Sequence, residues 1–130
     1  MDYFSFKTFL SERYEPLDKQ MGVYDWGVWV PLDQIQRWEP DEHKFDRTIK
    51  DLERAYKKYK DTNDQKYLPQ PIRIEPNTGK IKLRSSGNII DTGNKKFVIE
   101  DGHHRHIAAE RAGLKKINAI VRNSKTTGQV

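Results

Sequence analysis

No cysteine occurs in this 130-residue chain, so a disulfide, a cysteine nucleophile and a zinc–thiolate site are all excluded. No apolar run approaches the roughly 18 residues that a membrane span needs. The first residues lack the basic-then-apolar pattern of a secretory leader. No glycine-rich loop runs into Lys-Ser or Lys-Thr, which excludes a P-loop, and no His-Glu-x-x-His pair marks a zinc helix. Internal repeats and low-complexity tracts are also missing. The expectation is a cytoplasmic protein with no membrane partner.

What is present is polar but foldable. Apolar residues make up 35% and charged residues 33%, yet three Trp, six Tyr and five Phe argue against disorder. One domain with a real core is expected at this length. The net charge of +5 is unevenly placed. Residues 1–78 hold 13 Lys/Arg against 15 Asp/Glu, whereas residues 79–130 hold 11 against 4. A basic half of this kind suits a nucleotide or a polyanion such as DNA.

The chain is organised around residues 97–113, where Phe97-Val98-Ile99 reads as a strand, Asp101-Gly102 as a tight turn, and His103 to Ala112 as a helix closed by Gly113. Asp101 is expected to cap that helix with its side-chain oxygen. The first turn of a helix carries N–H groups without intrahelical acceptors, at the positive end of the dipole. Gly102, His103, His104 and Arg105 on that turn therefore form a candidate phosphate site. Arg105 works against the dipole there unless an anion arrives. A solvated, ligand-free turn is the simpler alternative. His106 is expected at the surface or partly buried. His103, His106 and Asp101 are too compact a set for the three or four ligands of a metal centre, and none is expected.

Elsewhere, Tyr3, Phe6, Phe9 and Leu10 have helical spacing over residues 2–14. Tyr24, Trp26 and Trp29 form an aromatic cluster, for which packing is favoured over base stacking. Val28 to Leu32 reads as a strand with Pro31 at an edge or end, and residues 33–35 as a turn. Ile49, Leu52, Tyr56 and Tyr59 give a helical face over residues 46–60, with Asp46 as its cap. Residues 70–75 and 80–84 read as one hairpin, and Ile89-Ile90 with Phe97 to Ile99 as a second. Ile117 to Val121 is a buried-type strand. The acidic loop around Glu39 and Glu42 offers a general base or a Mg²⁺ ligand, although a solvated, helix-preceding loop is the favoured reading.

From Leu32-Asp33-Gln34-Ile35, through Gln70-Pro71-Ile72, to the block from Val98 to Val121 with Asp101-Gly102-His103-His104-Arg105, the chain resembles the ParB/sulfiredoxin superfamily, in particular the ParB-like N-terminal (ParB-like nuclease) domain. The resemblance covers about residues 28–122. It implies an α+β fold, a small mixed sheet with flanking helices, here with an N-terminal helical extension (residues 1–27), a β-hairpin insertion near 76–96 and a polar tail (123–130). It also implies nucleotide phosphates at Gly102, His103, His104 and Arg105, with CTP, ATP or ADP as candidate ligands and Mg²⁺ as a candidate ion. Sulfiredoxins carry a cysteine where this chain has His103, so their thiol chemistry is excluded. Partition proteins bind CTP through this domain and add DNA-binding and dimerisation parts; with nine residues after Val121, a stand-alone domain is expected. Free serine kinases of the superfamily share the Asp-Gly-His-x-Arg turn. In that reading Glu39 or Glu42 would be the base, with Asp101 as a third catalytic candidate. Related turns occur in phage and mobile-element proteins.

The expected function is thus nucleotide or nucleic-acid phosphate binding in DNA transactions, as a nuclease or regulator. A small-molecule kinase and a protein-interaction module are the alternatives. Oligomeric state is not legible.

Overall fold

The computed structural model describes residues 14–17, 25–38, 46–83 and 86–122. The helix expected over residues 2–14, the tail from 123, and Glu39 and Glu42 lie outside these, Tyr14 excepted.

The described residues form seven strands and two α-helices. The strands are β1 (Val28–Pro31), β2 (Ile35–Gln36), β3 (Ile72–Pro76), β4 (Lys80–Lys82), β5 (Ile89–Asp91), β6 (Phe97–Asp101) and β7 (Lys116–Val121). The helices are α1 (Asp46–Thr62) and α2 (His103–Arg111). Five strands make one mixed sheet in the order β1-β7-β3-β6-β2, with β1/β7 and β3/β6 antiparallel and β3/β7 and β2/β6 parallel. The architecture is α+β, a small mixed sheet with flanking helices and a hairpin insertion.

Strands β6 and β7 are covered on both faces along their buried stretches. Phe97, Val98 and Ile99 on β6 are all buried, as are Ile117, Asn118 and Ala119 on β7. Such buried runs, apolar but for Asn118, mark strands covered on both sides. Helix α1 buries Ile49 and Tyr56 and half-buries Leu52 and Tyr59, the face expected from its spacing. Asp46 is the first residue of α1 and not its cap. Helix α2 ends as its glycine requires: Leu114 N–H donates to Ala109 O (3.1 Å) and Gly113 N–H to Glu110 O (3.1 Å). This reciprocal pair satisfies carbonyls of the last turn.

Trp29 packs on Tyr59, ring centroids 5.8 Å apart, so it serves the core. The edge of β1 is covered by the segment 15–17, where Trp29 N–H donates to Glu15 O and Leu17 N–H to Gly27 O. Residues 32–34 form a 3-10 turn, and Ile35 joins the sheet as buried β2.

The two expected hairpins pair differently. β3 binds β6 and β7 and leaves β4, while β4 pairs with β5 in a separate two-stranded sheet, Ile81 opposite Ile90. The hairpin insertion is therefore an arm between β3 and β6. Alternating residues identify a strand but not its partner, and here the buried faces of Ile72 and Ile74 require the apolar β6 and β7 as neighbours. Asn77 clamps the arm's base. Its Nδ2 donates to Thr92 O and Lys95 O (both 2.9 Å), and its Oδ1 accepts from Gly79 N–H (2.9 Å) and Thr92 Oγ1 (2.6 Å).

Tyr56 is fully buried, and its hydroxyl has no partner among the described residues. Burial pushes its pKa well above the ordinary range, against a smaller opposing pull from the Arg105 guanidinium. An unsatisfied buried hydroxyl costs about 1–3 kcal/mol. Tyr56→Phe is therefore expected to raise stability by about 1 kcal/mol in urea unfolding at neutral pH. The pH dependence has a definite sign. The unfolded phenol ionises near pH ~10, the folded one higher, so stability contributed by the neutral form is present below that pH and lost as pH rises through it. Tyr56→Phe is expected to flatten this alkaline loss.

Candidate functional site

The site forms where β6 leaves the core. Ile99 is fully buried, Glu100 half-buried and Asp101 exposed, and Gly102 then turns the chain with φ +118° and ψ +30°. That conformation is open to glycine. The space is closed to other residues too, since a Cβ on Gly102 would lie 2.5 Å from Ile72 Cγ2 and 2.8 Å from Ile72 Cβ. Helix α2 starts at His103 with no side-chain cap on its first turn.

Asp101 does not cap. Its Oδ2 lies 3.3 Å from Arg105 Nη2, an ion pair one turn along, while Arg105 Nη1 donates to Pro71 O (2.8 Å) and Gln70 O (3.1 Å). This overturns the expectation that Arg105 stands uncompensated at the helix start. The dipole penalty is about 0.3–1 kcal/mol, whereas a hydrogen bond from a charged group contributes about 1.5–3 kcal/mol. The guanidinium is only 21% exposed, so the two carbonyl bonds decide the balance, and the ion pair to the 66%-exposed Asp101 adds little. Arg105 ties α2 to the segment before β3.

His103 is buried against Trp38, edge to face, with ring centroids 5.0 Å apart at 85°. Trp38 N–H points to His103 Nε2 at 3.4 Å, and Trp38 Nε1–H donates to Ile99 O at 2.6 Å. His103 thereby holds Trp38 beside the turn. His104 is half-buried. His106, expected near the surface, is 2% exposed with Nε2 3.4 Å from Leu32 O, because its face of α2 is the one turned to the core. No group of three His, Asp or Glu among the described residues is placed to hold a metal ion.

These residues bound a groove of about 420 Å³, lined by Trp38, Thr48, Leu52, Glu100 and the turn Asp101 to Arg105. Trp38, Thr48, Leu52 and Glu100 were not singled out from sequence. For Glu100 a signal existed, its adjacency to Asp101; for Thr48 and Leu52 none did, since they reach the site by packing. Glu100 Oε1 pairs with Arg122 Nη1, and its buried Oε2 has no partner among the described residues. The lining charges are thus balanced in pairs, Arg105 by Asp101 and Glu100 by Arg122. An anion would be drawn by the uncapped start of α2, and would gain Arg105 by displacing the Asp101 carboxylate. Glu39 and Glu42 lie outside the described residues; Trp38 and Thr48, on either side of them in sequence, line the groove. No helix among the described residues is long and apolar enough to cross a membrane.

No family model matches the chain, and no curated protein matches it. Among solved structures, the chain is similar to the C-terminally truncated chromosome-partitioning protein ParB from Caulobacter crescentus complexed with CTP-gamma-S (24% identity, 73% of this chain and 43% of that chain, TM-score 0.48). It is similar to the same protein complexed to the centromeric parS site (24%, 73% and 40%, TM-score 0.47). It is also similar to sulfiredoxin from Arabidopsis thaliana (20%, 78% and 92%, TM-score 0.49). The chain spans about two-fifths of the length of those ParB chains.

Proposed function

We propose that the groove binds the phosphates of a nucleotide, or of nucleic acid, on the turn formed by Gly102, His103, His104 and Arg105, and that the chain acts in DNA transactions as a ParB-like regulator. The observation that carries this is an uncapped helix start opening into a groove of about 420 Å³, with an arginine fixed at its wall. Helix N-termini bind phosphate through oriented N–H groups and the dipole, and arginine adds a forked donor. The sequence resemblance puts CTP first among the nucleotides to test. Backbone cleavage would need a further acid or base. Asp101 is engaged by Arg105, and Glu39 and Glu42 are the other candidates for that role.

A kinase reading draws on one observation, that Trp38 and Thr48, which flank Glu39 and Glu42 in sequence, both line the groove. There Glu39 or Glu42 would take the proton from an acceptor hydroxyl while the turn holds the transferred phosphoryl group.

Thermal unfolding against CTP, ATP, ADP and GTP, with and without Mg²⁺, tests both. A ligand at about 100 times its dissociation constant adds roughly 2.7 kcal/mol. One nucleotide is expected to raise the midpoint of the wild type and not that of Arg105→Ala. Asp101→Asn removes the internal competitor for Arg105, so its midpoint should rise further than the wild type's at equal ligand. No response to any nucleotide would overturn the nucleotide reading and leave nucleic-acid phosphate as the ligand to test, and an equal response in Arg105→Ala would overturn the turn as the site. Turnover stimulated by serine and lost in Glu39→Gln or Glu42→Gln would favour the kinase.

A further inference from the structure

We propose that the β4–β5 arm is a DNA-contacting ribbon that lies in a groove of the duplex, with Lys80 and Lys82 on backbone phosphates and Ile89 against the groove floor. This surface is separate from the Gly102–Arg105 turn and does not depend on it.

The arm has one solvent face and one sheltered face. Residues directly opposite in an antiparallel pair share a face. Lys80 lies opposite Asp91 and Lys82 opposite Ile89, and all four are exposed; Ile81 and Ile90, on the other face, are half-buried. Ile89 is 67% exposed and is the one exposed large hydrophobic among the described residues. An apolar side chain beside lysines on an open ribbon has no folding role on that face. The described residues of segment 77–96 carry four lysines (80, 82, 95 and 96) against one acid, in a chain of net charge +5. Asp91 is turned to its own loop, where it accepts from Gly93 N–H at 2.8 Å.

Geometry favours duplex DNA over other polyanions. A two-stranded ribbon fits the major groove, which is about 12 Å wide. Lys80 and Lys82, two residues apart on a strand, are roughly 6.7 Å apart, about two nucleotide steps at ~3.4 Å of rise per strand. A single isoleucine offers too little apolar area to anchor on a lipid surface. The arm is also held ready. An isolated two-stranded hairpin is marginal in water, but here Asn77 and the buried Thr92 fix its base through four side-chain hydrogen bonds, and Thr92 N–H donates to Gly79 O at 2.9 Å. A pre-positioned arm loses less freedom on binding.

The test is the affinity of the full chain for a labelled mixed-sequence duplex of about 30 base pairs at ~50 to ~200 mM salt. Wild-type affinity should fall steeply with salt. Lys80→Ala/Lys82→Ala should reduce the salt slope by about 2 and weaken binding at least about tenfold. Ile89→Ala should weaken it about fivefold with the slope unchanged, as loss of an apolar contact requires. Lys80→Ala/Lys82→Ala should keep any nucleotide response, so the arm and the groove fail separately. The proposal is overturned if the double lysine variant matches the wild type in affinity and slope, or if Ile89→Ala binds as tightly. It is also overturned if single-stranded DNA or anionic phosphatidylserine vesicles bind more tightly than the duplex.

Discussion

Gly102→Ala is expected to remove about 3–5 kcal/mol of stability, and the phosphate site with it. Two costs combine. The first is backbone strain, about 1–3 kcal/mol for a residue forced into a sparsely populated region, since Gly102 has φ +118°. The second is overpacking, commonly about 1–3 kcal/mol. The added methyl would sit 2.5 Å from Ile72 Cγ2 and 2.8 Å from Ile72 Cβ, and Ile72 is fully buried on central strand β3. Rotating Ile72 cannot relieve the contact with its own Cβ. Relief must come from moving β3 away from the turn, which also pulls Gln70 and Pro71 from Arg105. Urea unfolding measures the loss. In a double-mutant cycle, Gly102→Ala and Ile72→Ala should cost less together than the sum of the two, because they share one contact. A loss below about 1 kcal/mol would contradict the tight turn drawn here.

The second large effect is at the opposite side of the sheet order. Gly27→Ala is expected to cost about 4 kcal/mol, a large share of the ~5–15 kcal/mol that holds a domain together. Gly27 has φ +81°, and a Cβ there would lie 2.2 Å from Ala119 O and 2.6 Å from Ala119 C. Both atoms belong to the backbone of β7, so no rotamer change helps. The entry into β1 must shift, breaking the register of Val28 on Ala119 and Trp29 on Asn118. Hydrogen exchange should show the amides of Val28 to Val30 losing protection first. Below its lowered midpoint this variant should still respond to nucleotide, whereas Gly102→Ala should not. That contrast separates loss of the sheet edge from loss of the site.

Local patterns carried the elements well. The spacing of Ile49, Leu52, Tyr56 and Tyr59 gave α1, and Phe97 to Gly113 gave strand, turn and helix with the right closing glycine. A strand's partner is not a local property. Residues 70–75 and 80–84 alternate convincingly, yet β3 needs two buried neighbours and takes them from much later in the chain. The site divides the same way. The turn from Asp101 to Arg105 was legible because its residue types sit side by side. The fate of each side chain was not. Arg105 is satisfied by Pro71 O, 34 residues away, and Trp38 meets His103 across 65 residues. His106 looked superficial because histidine is polar, but its place on α2 directs it inward.

The sheet order has a consequence for how the chain is made. β7 lies between β1 and β3, so a strand interior to the sheet is the last of the described strands to leave the ribosome. Until Lys116 to Val121 emerge, β1 has no partner in the sheet and β3 has one open side. Pairing across such long sequence separations is slow, and open strand edges invite association with other chains. Nascent chains stalled before Lys116 should therefore depend on chaperones, and chains released after Val121 should not.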